Sequence, residues 1–219
     1  MNNHCRKPNQ ALRAFSIWDL VFVLGSLVVL LLLLIPLART TARAVGINCQ
    51  NNLKQVALAF RVWSGENSDH YPMQEFHTPA GGPLFTNAAD TFRYFQVMSN
   101  ELSTPKILIC PGNINQTCAT NFDTDFNRHS VSFFIGLEAR ETNDNMFLTG
   151  DGSLDNGRPT ENGRMALNAK QKLSWSDKNL HDHQGNIALT DGSVLRLRRS
   201  ELRVATAKTG TTTNWLLFP

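Results

Sequence analysis

The chain has 219 residues, of which 42% are hydrophobic and 18% charged, and its formal net charge is +3. This composition excludes a disordered or low-complexity chain, and the residues beyond about position 63 amount to one ordinary folded domain. Arg6, Lys7 and Arg13 account for the whole positive balance, since residues 1–14 contain no acid. The net charge therefore does not indicate a nucleic-acid surface.

The first predicted element is an apolar helix. Leu20 to Ala38 is a run of 19 residues without a charge, about 28 Å of helix against a hydrocarbon core of about 30 Å. The cations that precede it predict a cytoplasmic N-terminus and an extracytoplasmic C-terminal part by the positive-inside rule. We therefore expect a single-pass membrane protein.

Three simpler interpretations of this run compete. A cleaved secretory signal would normally have an apolar region of about 7–15 residues, and Ala42–Ala44 is a poor cleavage site. A buried core helix does not fit so long an apolar run. A plain membrane anchor is the serious rival, but it gives no reason for Asp19, because a charge at the centre of a spanning helix costs about 2.5–3.5 kcal/mol.

A partner for Asp19 appears if the chain is cut between Ala14 and Phe15. The new α-amino group of Phe15 would lie four residues before Asp19, and in a bundle of such helices the amine of one subunit could pair with the carboxylate of its neighbour. Such a pair would give each charge a counter-ion within the lipid.

The hexapeptide from Ala14 to Asp19, AFSIWD, resembles the processing site of type IV pilins and type II secretion pseudopilins. In these families a prepilin peptidase cuts after a small residue, usually Gly, and before a Phe that is then N-methylated. Here Ala14 stands in place of the usual Gly, and Asp19 in place of the usual Glu. Pro36 lies where many pilins have a mid-helix proline. The resemblance implies cleavage before Phe15, N-methylation of Phe15 and an assembly role for Asp19.

The apolar run continues as an amphipathic helix. Apolar residues recur at intervals of three or four, which is the spacing of one helix face: Val45, Cys49, Leu53, Val56, Phe60 and Trp63. We expect one helix from about Phe15 to Trp63. The predicted organisation is a leader at 1–14, a membrane half at 15–38, an amphipathic half at 39–63 and a globular domain at 64–219.

The globular domain is predicted to be α+β, with the long helix packed on a modest antiparallel sheet. After a loop over Gly65–Asn87 we expect a helix over Ala88–Leu102. Six strands are predicted from their composition: Lys106–Cys110, Ser130–Leu137, Met146–Thr149, Ile187–Thr190, Val194–Leu197 and Trp215–Phe218. The predicted strands Ile187–Thr190 and Val194–Leu197 flank Asp191-Gly192, a typical hairpin turn.

The segment from His181 to Gly192 carries the most specific pattern of this half. His181, nine further residues and Asp191-Gly192 match the H-X9-DG signature of a group of prepilin-like proteins. Cys110-Pro111 and the run Leu148–Asp151 resemble other motifs of the same group. The resemblance covers most of the chain and implies a pilin-like fold. The simpler interpretation is that His181 hydrogen-bonds the DG turn and locks the hairpin.

Several side chains are candidates for binding sites. His181, Asp182, His183 and Asp191 could be read as metal ligands. The two imidazoles of an H-x-H on a strand share one face, but a third convergent ligand is missing, and we commit to no metal there. The stretch DGSLDNG fails the EF-hand pattern, yet calcium is the one cofactor considered, because several major pseudopilins bind it in a C-terminal loop. Its candidate ligands are Asp144, Asp151, Asp155 and Glu161.

Cysteines and arginines leave two further questions open. Cys110 and Cys118 either close a small disulfide or stay as thiols, since spacing alone does not fix their geometry. The basic residues Arg196, Arg198, Arg199 and Arg203 could bind DNA, but such a run is more often a solvated face or a subunit contact. We therefore do not expect a nucleic-acid partner.

The chain has no G-x-S-x-G, H-E-x-x-H or P-loop motif, so we do not expect an enzyme. The resemblance implies instead a structural subunit that resides in a bacterial inner membrane. The resemblance implies processing by prepilin peptidase and polymerisation with other pilin-like subunits on an inner-membrane assembly platform. The filament would be a type II secretion pseudopilus or a type IV pilus-like fibre. The alternative is an anchored extracytoplasmic domain that binds or hydrolyses a ligand and does not polymerise.

Overall fold

A computed structural model describes residues 16–76, 85–113, 116–158, 160–176 and 183–219, with only the backbone described for 35–43. The chain divides into two compact units, Met1–Thr41 and Ala42–Pro219. The described helices are α1 Ile17–Glu66, α2 Pro72–Glu75, α3 Thr91–Gln96, α4 Ser99–Leu102 and α5 Arg199–Lys208, with short 3-10 helices at Ala88–Asp90, Pro105–Leu108 and Arg128–Ser130.

The strands form an antiparallel six-stranded sheet with the order β4-β8-β1-β2-β6-β7 and a separate two-stranded ribbon of β3 and β5. Their bounds are β1 Phe133–Gly136, β2 Phe147–Asp151, β3 Leu154–Asp155, β4 Arg164–Leu167, β5 Ser174–Trp175, β6 Gln184–Leu189, β7 Val194–Arg198 and β8 Asn214–Leu217. Helices and antiparallel strands in one chain confirm the predicted α+β class.

The face of the sheet toward α1 encloses the larger core. The predicted stripe on α1 is confirmed, because Cys49, Leu53, Val56 and Phe60 are fully buried. They share one apolar cluster with sheet residues that alternate along the strands, as the two-residue period of a strand requires: Phe133, Ile135, Leu148, Ala188 and Leu217. The amphipathic half of α1 is thus a core helix of the second unit.

The opposite face of the sheet is buried as well. Phe134, Ile187 and Leu216 alternate with the residues of the first face and pack with Trp175 of the β5 ribbon and Leu202 of α5. Helix α5 and the strands β3, β4 and β5 are not among the predicted elements. Both faces of the sheet are therefore covered, one by α1 and the other by α5 with the ribbon.

Two predicted elements are wrong. The expected strand Lys106–Cys110 is instead largely the 3-10 helix Pro105–Leu108, because Pro105 stands at its first position and Thr104 Oγ1 accepts a hydrogen bond from Lys106 N at 3.4 Å. The expected helix Ala88–Leu102 is three short helices, since the chain leaves helical geometry at Met98 (ψ 26°). Met98 and Leu102 both belong to the core cluster that α1 shares.

Candidate functional site

The apolar part of α1 is the first candidate site. Ile17–Leu34 is long and apolar enough to cross a membrane, and none of this stretch is buried within the protein. It is the one such helix among the described residues. The predicted cleavage site, Ala14 and Phe15, lies outside the described residues, so the geometry at this site begins at Ser16.

Asp19 occupies the first turn of α1. Its Oδ2 accepts a hydrogen bond from Ser16 N at 3.0 Å, and Ser16 Oγ accepts one from Trp18 N at 3.4 Å. The first contact is one half of a capping box, the second is an N-cap bond to the N2 position, and the carboxylate also lies at the positive end of the helix dipole. Asp19 therefore has a local reason to be an acid, in addition to any role in subunit pairing.

The DG turn joins β6 to β7 as predicted. Leu189 N donates to Ser193 O at 2.9 Å and Gly192 N donates to Leu189 O at 3.0 Å, while Asp191 Oδ1 accepts from Ser193 N at 2.8 Å. Gly192 has a φ of +86°, a backbone conformation that residues with a Cβ rarely adopt. The residue types Asp and Gly are thus explained by the turn itself.

This turn docks on α1. The carbonyl oxygen of Thr190 accepts hydrogen bonds from Arg61 Nη1 at 3.2 Å and from Tyr71 Oη at 2.8 Å. A Cβ at Gly192 would lie 3.0 Å from Arg61 Cδ, so the glycine also permits the close approach. Arg61 is held in turn by Glu141 through an ion pair of 3.5 Å.

The rest of the H-X9-DG signature is only partly described. His181 and Asp182 lie outside the described residues, so the predicted hydrogen bond from His181 to the turn stays a prediction. His183 begins the described segment with a φ of +59°. The docked turn supports a structural role for Asp191 and Gly192.

A buried polar cluster that the sequence analysis did not assemble lies between α1 and the sheet. Cys49 of α1, Cys110 after the 3-10 helix and Asp151 at the end of β2 are all buried, and their Sγ and carboxylate atoms lie within 4.8 Å of one another. Each residue stands out separately in the sequence. Cys49 lies on the predicted core stripe, and the other two lie in stretches that resemble motifs of prepilin-like proteins. Only the fold brings them together.

Both carboxylate oxygens of Asp151 accept hydrogen bonds in this cluster. Its Oδ2 accepts from the backbone N of Asn186 at 2.6 Å and from Asn186 Nδ2 at 3.0 Å, and its Oδ1 accepts from Cys49 Sγ at 3.1 Å. The hydrogen bond with Cys110, burial and the charge of Asp151 all raise the pKa of the Cys49 thiol. Cys49 is therefore held as a neutral thiol, not as a reactive thiolate.

The structure shows where the three described cysteines lie. Cys110 and Cys118 are not joined in the structure, where Cys49, Cys110 and Cys118 are all thiols. Cys118 is exposed, with its Sγ 3.7 Å from Ala119 O. Cys110 instead faces Cys49, so its neighbour in space is the cysteine on α1 and not the one eight residues along the chain.

The same cluster does not complete a metal site. A structural zinc site uses four protein ligands, and among the described residues no fourth His, Cys, Asp or Glu joins Cys49, Cys110 and Asp151. The predicted calcium candidates do not converge either. Asp144, Asp155 and Glu161 are outside this group, and Asp155 Oδ1 accepts from Gly157 N at 2.8 Å in a local turn.

The arginines form part of a basic cavity. An open cavity of about 890 Å³ lies at the start of α5, and five cations and a histidine are among its lining residues: Lys170, Lys172, His183, Arg198, Arg199 and Arg203. Arg196 does not line it and approaches α1 instead, where a Cβ at Gly46 would lie 3.0 Å from Arg196 Nη1. The predicted basic strand end is therefore split between a cavity and a helix contact.

Comparisons with models of protein families, with curated proteins and with solved structures find no match for this chain. The fold and sites define a mixed α+β domain whose core helix continues from a segment long and apolar enough to span a membrane.

Proposed function

We propose that this chain is a pilin-like structural subunit, processed by prepilin peptidase and polymerised on an inner-membrane platform into a type II secretion pseudopilus or type IV pilus-like filament. The observation that carries the proposal is the composition of α1. A single helix, Ile17–Glu66, begins as an unburied apolar segment and ends as a core helix of an α+β domain. A subunit whose helix lies in a membrane before it polymerises needs an apolar segment and a domain-core segment within the same helix.

Asp19 gives the proposal its chemistry. After cleavage before Phe15, the cationic chain end of one subunit would pair with the Asp19 carboxylate of the next, and the pair would form within hydrocarbon, where an unpaired charge is costly. The remaining free energy of assembly would come from side-chain packing between the apolar helices, because lipid already removes them from water. The capping contact with Ser16 orients the carboxylate at the helix end where that amine would arrive.

The test is the mature N-terminus of the full chain, extracted from membranes of cells that produce prepilin peptidase and analysed by mass spectrometry. We expect a chain that begins at N-methylated Phe15, and an uncut chain in cells without the peptidase. Ala14→Gly restores the residue usual in pilins and is expected to increase the cleaved fraction. An intact Met1, or an end near Ala44, in peptidase-producing cells would refute the proposal.

A second candidate function is an anchored domain that binds an anionic ligand without polymerising. The basic cavity favours it, since Arg199 and Arg203 line the cavity together with Lys170, Lys172 and Arg198. Titration of the full chain with inorganic pyrophosphate tests it. Arg203→Ala should weaken binding at least about tenfold, a loss of about 1.4 kcal/mol, whereas Arg128→Ala, outside the cavity, should leave binding unchanged.

The two candidates give different combined results. Pyrophosphate binding that depends on Arg203, together with an uncut N-terminus, would favour the anchored binding domain. Cleavage before Phe15 without such binding would favour the subunit. Binding of a DNA oligonucleotide with the same dependence on Arg203 would contradict our expectation that nucleic acid is not a partner.

A further inference from the structure

We propose that Cys49 and Cys110 are a disulfide site that fastens α1 to the globular domain. The two side chains are 0% and 1% exposed, and their sulfur atoms lie within the 4.8 Å that spans their cluster with Asp151. A disulfide requires the sulfurs to approach to about 2.05 Å, so the two side chains must move closer together when the bond forms. The inference concerns a covalent site and does not depend on polymerisation.

The backbone on both sides of the pair is already held in position. Asn52, one helical turn beyond Cys49, donates from Nδ2 to the carbonyl oxygen of Ile109 at 3.1 Å, and Ile109 immediately precedes Cys110. Ser132 N also donates to Leu108 O at 2.9 Å and ties the same segment to the chain that enters β1. The two cysteines are therefore kept opposite each other by contacts that do not involve sulfur.

The surroundings accommodate the oxidised pair. The bridge removes the hydrogen bond from Cys49 Sγ to Asp151 Oδ1, but Asp151 also accepts two hydrogen bonds from Asn186, so its buried carboxylate keeps these donors. The bridge also closes a loop of about 60 residues, which restricts the unfolded chain and stabilises the folded one.

The reaction is a thiol–disulfide exchange with a disulfide donor, such as an oxidoreductase of an oxidising compartment. One cysteine thiolate attacks the donor and forms a mixed disulfide, releasing the first donor thiol. The second cysteine, after losing its proton, attacks the mixed disulfide, forms the Cys49–Cys110 bond and releases the second donor thiol. Two protein thiols are oxidised and one donor disulfide is reduced to two thiols.

Burial determines when this exchange takes place. Because both sulfurs are shielded in the folded chain, the donor reaches them before α1 docks on the sheet, during folding. Reduced and already folded protein should therefore oxidise slowly, and refolding protein quickly. In a subunit of the proposed kind, the bridge would keep α1 attached to its domain while the helix is extracted from the membrane; this consequence alone rests on the proposed function.

The test uses the full chain in detergent, unfolded and reduced, then refolded in a buffer of oxidised and reduced glutathione. Differential alkylation and peptide mass mapping identify the linked residues. We expect a Cys49–Cys110 peptide, an unlinked Cys118, and a Tm that falls by about 10 °C when reductant is added. Cys118→Ser is the matched control and should keep both the bridge and the shift, whereas Cys110→Ala should abolish both.

Three results would overturn the inference: Cys110 linked to Cys118, both buried cysteines still reduced after refolding, or a stoichiometric zinc ion bound by the thiols. Comparison of oxidised and reduced wild-type protein needs no variant, so a poorly folding substitution does not decide the result. Acid-trapped protein from cells gives a separate answer. An efficient bridge in the refolding assay but reduced thiols in cells would support the disulfide site and count against the extracytoplasmic placement.

Discussion

Arg61 on α1 and Thr190 at the end of β6 are joined by a hydrogen bond of 3.2 Å from Nη1 to the backbone carbonyl oxygen. The residues are 129 positions apart, and Tyr71 donates to the same oxygen. The DG turn that follows Thr190 is therefore more than a local feature of the hairpin. It fixes the hairpin to the helix that carries the apolar N-terminal segment.

Gly192→Ala should lower the free energy of unfolding by about 2 kcal/mol. The alanine Cβ would be strained at a φ of +86° and would lie 3.0 Å from Arg61 Cδ. Gly210→Ala is the matched control, since its φ is +73° and its Cβ would have no neighbour within 4 Å. Thermal unfolding of the full chain in detergent measures both. Equal losses for the two variants would show that the contact with Arg61 contributes nothing.

Tyr71→Phe should lower the free energy of unfolding by about 1 kcal/mol. The buried hydroxyl is lost, but the Thr190 carbonyl keeps its hydrogen bond from Arg61. Combining Tyr71→Phe with Arg61→Met leaves that buried carbonyl without either donor, so the loss in the double variant should exceed the sum of the single losses. Additive losses in thermal unfolding would mean that the two donors act independently.

Alkaline pH should destabilise the domain through its buried tyrosines. Burial raises the pKa of Tyr94 to about 12, and burial also raises the pKa of Tyr71. The unfolded chain releases these protons near pH 10, where the folded chain still holds them. Their contribution to stability is therefore fully present below about pH 10 and is lost as the pH rises toward 12.

Unfolding of the reduced chain, followed between pH 9 and 11.5, measures this effect. Tyr94→Phe removes one of the two groups and should make the decline above pH 10 shallower, although it also loses the hydrogen bond to Phe85 O. The comparison therefore rests on the slope with pH and not on stability at neutral pH. A slope unchanged in the variant would contradict the assignment to Tyr94.

Sequence patterns predicted the elements whose signals are local. The core stripe of α1 follows from a spacing of three and four, and the β6–β7 hairpin follows from Asp191-Gly192. The apolar residues of Lys106–Cys110 predict a strand, but Pro105 and the Thr104 cap start a 3-10 helix there instead. The arginines of α5 follow a strand directly, so the sequence pattern predicts only a basic strand end.

The candidate sites also differ in whether their signal is local in the sequence or arises only from tertiary packing. Asp191 and Gly192 are recognisable in the sequence because two adjacent residues are enough to indicate a hairpin turn. The cluster of Cys49, Cys110 and Asp151 was not found, because its members lie on three different elements and converge only when α1 packs on the sheet. A spacing of eight residues makes Cys118 the candidate partner of Cys110 in the sequence, whereas tertiary packing places Cys110 beside Cys49.

The final prediction separates the two roles of Asp19, helix capping and subunit pairing. Asp19→Asn keeps an oxygen that can accept the hydrogen bond from Ser16 N but removes the charge, whereas Asp19→Glu keeps the charge. If pairing with a neighbouring chain end drives assembly, Asp19→Asn and Asp19→Ala should both lose filament incorporation, since breaking a buried ion pair costs about 3–5 kcal/mol. Asp19→Glu should retain it. Membrane fractionation should find all three variants inserted. Normal incorporation of Asp19→Asn in the sheared filament fraction would mean that the acid serves only to cap α1.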